Sequence, residues 1–246
     1  MTNEELEKSK GLHERRLKFL QGKLVHARRE AHADGLVTTE EAADINGVEA
    51  RIRKEQELVA RREEQLAHVP RGTRFLARAE KFPGENAGAF AAGTGPKIVW
   101  HTTEGSSADS ALHEYRRTRS FPHFTLHPQT GRLMQHVAMD LAARALEHPA
   151  GVVETNRAHA IQVELVGSAA EAPDWDGDDY ARIARLAREI ESACGVKRQA
   201  LAPFRPTQVV HLGATQWLQG SGHCGHQHVP GNHHHDPGAL RIDLIV

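Results

Sequence analysis

Cys194 and Cys224 are the only two cysteines in a chain of 246 residues. Two are too few for a disulfide framework or a cysteine-type zinc finger, and both are expected to be free thiols. Long apolar runs are missing as well. None approaches the roughly 20 residues that a membrane-crossing helix needs, so no membrane insertion is expected. The opening MTNEELEKSK has no apolar core of a secretory signal. The expectation is synthesis in the cytoplasm, with any outside target reached through another protein's action. An excess of one charge is also lacking. Lys and Arg number 31 against 32 Asp and Glu, a net charge of -1. No Lys/Arg tract stands out, so no nucleic-acid partner is expected. Finally, no proline precedes Pro70.

What the chain does have is histidine, 18 in all. Without basic tracts beside them, these point to metal or proton chemistry rather than phosphate binding. Hydrophobic content of 39% and charged content of 26% suit a soluble globular protein of one large or two smaller domains.

Patterning divides the chain. Residues 1–80 are rich in Glu, Lys, Arg and Leu. His13, Leu17, Leu20, Leu24, Ala27 and Ala31 are spaced 4-3-4-3-4, a helical seam. Thr2 with Glu5 and Thr38 with Glu41 form capping boxes, and Gly35 is a C-terminal stop. Ile45, Val48, Ile52, Val59 and Leu66 continue a similar seam. The reading is an antiparallel helical hairpin, coiled-coil-like, over 1–80. Its seam has few large apolar residues and calls for a partner helix, which self-association or docking on the second domain would supply. Asp34, Gly35, Val37 and Glu41 stand at calcium-loop positions. Glu30 and His32 would have to fill the first and third, which is poor, so an interhelical turn is preferred. The 16 basic and 15 acidic residues of 1–80 leave this region nearly neutral.

PGENAGAFAAGTGP, within a linker at 81–96, leads into a domain at 97–246. There strand and helix signals alternate. KIVWHTT (97–103) reads as a strand and SADSALHEYRRT (107–118) as a helix. HFTLHPQTGRLMQHV (123–137) is a hairpin about Pro-Gln-Thr-Gly, and AIQVELVG (160–167) is a central strand. Tyr180, Ile183, Ala187, Ile190 and Cys194 make an amphipathic helix stopped by Gly195, and TQVVHLG (207–213) is a further strand. The fold class is α/β, a mixed central sheet flanked by helices and preceded by the helical hairpin.

Three polar residues stand out. His101 closes KIVWH. Glu164, flanked by Val163 and Leu165, must face solvent, a partner or a cleft. Asp236 ends the histidine-rich stretch GHQHVPGNHHHDPG (225–238). His and Asp are zinc ligands, and a catalytic zinc takes three protein ligands plus water. His101 is placed to join two ligands from the loop, but spacing alone does not choose among five loop histidines.

Taken in order, VWHTTEG, PHFTLHPQTGRLMQHV, NRAHAIQVELVG and GHQHVPGNHHHDPG resemble the zinc-dependent type-2 N-acetylmuramoyl-L-alanine amidases, which share a fold with peptidoglycan recognition proteins. The resemblance covers about residues 95–246, and the closing loop is most like those of endolysin amidases from phages of actinobacteria. It implies one zinc ion held by His101, His226 and Asp236. It implies Glu164 as the residue that takes the proton of the attacking water. His234, where many relatives have lysine, would steady the reacting carbonyl, and His123 would contact substrate or pack the hairpin. The implied partner is bacterial peptidoglycan. The implied reaction cuts the amide between N-acetylmuramic acid and L-alanine, after release from a host cell by a holin-type route. A non-catalytic peptidoglycan-binding module and an intracellular recycling amidase are the alternatives. Pro122 stands where some relatives have a tyrosine, which leaves Glu164 alone for the water's proton. The other loop-region histidines, His223, His228, His233 and His235, are expected to support the ligands or to face solvent.

Overall fold

A computed structural model describes residues 3–31, 39–66 and 71–246, with side chains over 11–26, 42–59 and 71–246. The chain divides into two units, Met1–His68 and Val69–Val246. The first is a pair of packed helices, α1 (Asn3–Ala31) and α2 (Thr39–Leu66). His13 Nδ1 lies 2.6 Å from the Glu55 carboxylate, so early α1 meets late α2, as in an antiparallel hairpin. Leu20 of the seam is buried, whereas Phe19 and Val25 face out. The expected capping boxes, the Gly35 stop and the calcium-like turn fall outside the described residues and side chains.

The second unit is built on a six-stranded mixed sheet. Its strands are β1 (Glu80–Lys81), β2 (Lys97–Thr102), β3 (Phe124–Leu126), β4 (Leu133–Gln135), β5 (Ala160–Leu165) and β6 (Gly222–Gly225), in the order β1-β4-β3-β5-β2-β6. Every neighbouring pair is parallel except β3 and β4, the two arms of the expected hairpin. Helix α3 (Ala108–Thr118) starts where the Ser107 hydroxyl accepts the Ser110 N–H. Helix α4 (Gly177–Cys194) opens on a reciprocal Asp176–Asp179 capping box and ends at Gly195, whose φ of 72° suits glycine. A short helix α5 (Ala214–Gln219) precedes β6.

The two faces of the sheet are covered differently. On one, Ile98, Trp100, Ile161, Val163 and Leu165 pack against Tyr180, Ile183, Leu186 and Ile190 of α4 in one continuous core. Burying side chains of this size contributes about 1.5–3 kcal/mol each, which makes this the main support of the unit. Alternation sends the intervening residues to the other face. There the apolar packing is split. Val99, Ala160 and Cys224 gather under Trp217 of α5, while Met134 and Val166 gather under Leu112 and Tyr115 of α3. His101 and Glu164, which are register partners, stand on this divided face.

Two expectations change. Residues 207–213 form no strand. Val210 and Leu212 donate to the carbonyls of Gln227 and His228, which lie in a 3-10 turn and so offer no ladder to extend. The sixth strand is instead GHCG at 222–225, whose glycines concealed it. The stretch 81–96 is not a free linker either. Phe82, Gly84, Ala87 and Ala91 donate to the carbonyls of Gln135, His136, Ala142 and Arg157, and the compact unit begins at Val69.

Candidate metal centre

His101 is the fifth residue of β2 and is fully enclosed. His226 and Asp236 come from the two ends of the loop after β6. Several contacts draw those ends together. The Gln227 N–H donates to the Asp236 carbonyl at 3.0 Å. The buried Gln227 amide donates to the carbonyls of His235 at 2.9 Å and Gly238 at 2.8 Å. Gly225 is required because a Cβ there would stand 2.7 Å from Pro237. Gly225 and Gln227, the two neighbours of His226, thus each have a packing reason to be what they are.

The ligating atoms of His101, His226 and Asp236 all lie within 4.8 Å of one another. The two Nδ1 atoms are 3.1 Å apart. The Asp236 carboxylate is 3.1 Å from His226 Nδ1 and 3.5 Å from His101 Nδ1, and it also accepts the Thr102 N–H at 3.3 Å. Asn232, fully buried, settles the state of His226. Its amide nitrogen faces the carbonyls of Glu147 and Pro230. Its oxygen is therefore left to accept the His226 Nε2–H at 2.8 Å. His226 Nδ1 then carries a lone pair and points at His101 Nδ1. Two such nitrogens repel unless a proton or a cation lies between them. A cluster of two neutral imidazoles and one carboxylate, largely shut from water, fits a divalent metal of the zinc kind with a position left open.

The electrostatics agree. Burial pushes His101 down to about 4, and His226 nearby adds to the effect, so its ring is neutral. Burial opposes the charge on Asp236. Its hydrogen bonds with His101 and His226 outweigh burial and hold the carboxyl well below the usual range. Glu164 Oε1 lies 3.9 Å from His101 Nδ1. Burial, then Asp236 and Glu104, push this carboxyl up to about 8. Glu164 Oε2 and His101 Nε2 are buried with no hydrogen-bond partner among the described residues.

A model of the N-acetylmuramoyl-L-alanine amidase family matches residues 94–239. The chain belongs to that family. The amidase match runs from just before β2 through the Asp236 loop, so it contains all four residues of the cluster. No curated protein matches the chain. Among solved structures, Staphylococcus aureus hydrolase AmiA in complex with its ligand is similar at 15% identity. That likeness covers 70% of this chain and 82% of that one, with a TM-score of 0.43.

The amidase's remaining histidines sort by burial. His123 is fully buried. Its Nδ1 accepts the Gln162 N–H at 3.0 Å and its Nε2–H donates to the Leu141 carbonyl at 2.8 Å, so both ring nitrogens are used within the fold. His228 is buried, accepting from Gly225 and donating to Pro203. His223 accepts from Trp100 and donates to Glu191. His233 and His235 are exposed. His234 is exposed too, but its ring stacks on His226 at 4.5 Å and 11°. Sequence reasoning passed over Asn232 and Gln227, whose only signal was lying inside the quoted loop. It also passed over Tyr115. That hydroxyl, 3.3 Å from Thr125 Oγ1, is driven up first by burial and then by the charge of Glu164.

Proposed function

We propose that the protein is a zinc-dependent peptidoglycan hydrolase that cleaves the amide between the lactyl group of N-acetylmuramic acid and the L-alanine of the stem peptide. The observation that carries this reading is the convergence of His101, His226 and Asp236, with Glu164 beside them, inside the amidase family match. His101 Nδ1, His226 Nδ1 and an Asp236 oxygen would hold the ion. When bound, zinc supplies Lewis acidity that makes water a better nucleophile and the scissile carbonyl a better electrophile.

The chain's own residues would do the rest. Glu164 has one oxygen toward His101 and one unpartnered. Its carboxylate takes a proton from the attacking water, and the resulting carboxylic acid gives that proton to the departing alanine nitrogen. Enclosure of the carboxyl favours the neutral form that the second step requires. His234 is exposed and stacked flat on His226, which supports a role in which its ring N–H would steady negative charge on the carbonyl oxygen.

The closing loop GHQHVPGNHHHDPG supports a phage or prophage endolysin, acting on intact wall after release from the host cytoplasm. The helical unit 1–68 lies outside the family match and would be an accessory to that task. The deciding experiment is mass spectrometry of sacculi incubated with the protein, with and without a chelator. New amino-terminal alanine on released stem peptides, lost on chelation and restored by zinc, is the expected result. Cleavage elsewhere, or cleavage indifferent to chelator, would refute the reading. If soluble fragments were cut but intact sacculi were not, the endolysin role would fall and a recycling amidase would replace it.

A further inference from the structure

Helix α1 packs on α2 through the side that carries His13 and the buried Leu20. Its outward side is not the charged mixture that a solvated helix face shows. Phe19 is 64% exposed, and Leu12, seven residues earlier and so on the same line of the helix, is 42% exposed. Arg15 and Lys23, four residues to either side of Phe19, flank that line, and Arg16, three before it, stands next to them; all three are exposed. The Lys23 ammonium lies 5.2 Å from the centroid of the Phe19 ring. Arg16 also reaches the Glu55 carboxylate at 4.0 Å. Glu14 is the single carboxylate of residues 11–26. Its five-residue offset from Phe19 puts it roughly 140° round the helix, away from the stripe.

The stripe therefore joins bare hydrocarbon to positive charge, and that pairing selects its partner. A second copy of α1 would set Arg15 and Lys23 against the same cations. The exposed residues of α2, among them Ala43, Ala50, Arg53 and Lys54, offer such a copy neither a large apolar surface nor an acidic one. A polyanion would match the charge but leave Leu12 and Phe19 in water. An anionic lipid leaflet matches both, with phosphates for the cations and the acyl boundary for the apolar side chains. Arginine and lysine serve such a contact well, because their stems lie along apolar surface while their heads reach the phosphates. No described helix is long and apolar enough to cross a membrane, so this contact is one of lying on the surface.

We propose that the outward stripe of α1 docks the protein on an anionic lipid surface, with Leu12 and Phe19 in the acyl boundary and Arg15, Arg16 and Lys23 among the phosphates. The inference goes beyond the amidase reading and does not depend on it.

The test is flotation of the full-length protein with vesicles of equimolar phosphatidylcholine and phosphatidylglycerol, beside vesicles of phosphatidylcholine alone. Binding to the anionic vesicles only, weakened by salt, is the expected result. Phe19→Ser should weaken it by about tenfold or more. Arg15→Gln/Lys23→Gln should weaken it by about 25-fold, roughly fivefold for each charge. Val25 supplies the control. It is 68% exposed on the same helix but stands about a third of a turn from Phe19, so Val25→Ser should bind as the native protein does. Each substituted side chain faces out, and an unchanged helical circular dichroism signal checks that the hairpin is intact. No binding to anionic vesicles, equal binding to both kinds, or an equal loss in the Val25 and Phe19 variants would overturn the proposal. Binding that survives Phe19→Ser but not the double charge variant would also overturn it, and would make the stripe a site for a polyanion.

Discussion

Replacing Asn232 with leucine should loosen the metal site without touching a ligand. In the native arrangement Asn232 Oδ1 holds the proton of His226 on Nε2, through a 2.8 Å bond in a fully buried setting. Without that acceptor the proton is better placed on Nδ1, where the Asp236 carboxylate waits at 3.1 Å. Zinc would then have to displace a proton that the native site has already moved away. Partners of this kind are worth 10- to 100-fold in metal affinity, or about 1.4–2.7 kcal/mol. Folding should suffer separately, by about 1–3 kcal/mol for the polar groups left unpaired. Two measurements divide the effects: competition for zinc against a chromophoric chelator, and urea unfolding in the presence of that chelator. Asn232→Asp supplies the control. It keeps an acceptor for His226, so its zinc affinity should stay near or above the native value even though its stability falls. A folded leucine variant that binds zinc within about twofold of the native protein would refute the tautomer argument.

Glu164→Gln should retain zinc yet lose turnover by about 10²–10⁴, the contribution of a positioned proton carrier, whereas Asp236→Ala should lose the zinc itself; metal analysis and muropeptide release check both. Among the three adjacent histidines, His234→Ala should lower kcat by about 100-fold with zinc content unchanged, while His233→Ala and His235→Ala should leave kcat as it was. Lys97, enclosed under Trp217 with its ammonium donating to the carbonyls of Gly95 and Ala158, gives a pH test. Burial pulls it from the usual 10.5 to about 8, so between those values the unfolded chain binds more protons than the folded one and stability rises with pH. Burial pushes the thiols of Cys194 and Cys224 up to about 12, which acts with the opposite sign. The comparison of native protein with Lys97→Met therefore isolates the lysine. The native protein should gain about 3 kcal/mol relative to the variant across that window, and parallel stability profiles would refute the assignment.

The parts of the fold with a strong period were legible in the sequence. The strand around His101, the hairpin, the strand around Glu164 and the helix ending at Gly195 stand within a residue or two of where the patterning put them. The strand GHCG was not legible, because two glycines and a histidine hide its pairing with Lys97–Trp100. TQVVHLG had strand composition, but its neighbours bend into a 3-10 turn, a tertiary circumstance that local propensity does not report. Spacing within the loop left several pairs open, and the set His101, His226 and Asp236 came only from the family resemblance; these are the residues whose ligating atoms converge. Asn232 and Gln227 were not legible as partners at all. Their work is hydrogen bonding across the loop, which neither has a period nor follows from composition.

Under the proposed zinc role, Gln227 would govern how much of the chain metal capture has to order. Its backbone and side chain donate to the carbonyls of His235, Asp236 and Gly238 and so tie the two ends of the loop together. The entropy of bringing His226 and Asp236 together is thus spent during folding, and metal capture orders little further backbone. Stripped and loaded protein should share one loop conformation, and zinc should exchange in and out without unfolding. The same ties free the loop's interior positions from the task of holding the ligands. Exposed residues such as His233 and His235 can then be substituted while the two ends that face His101 stay where they are.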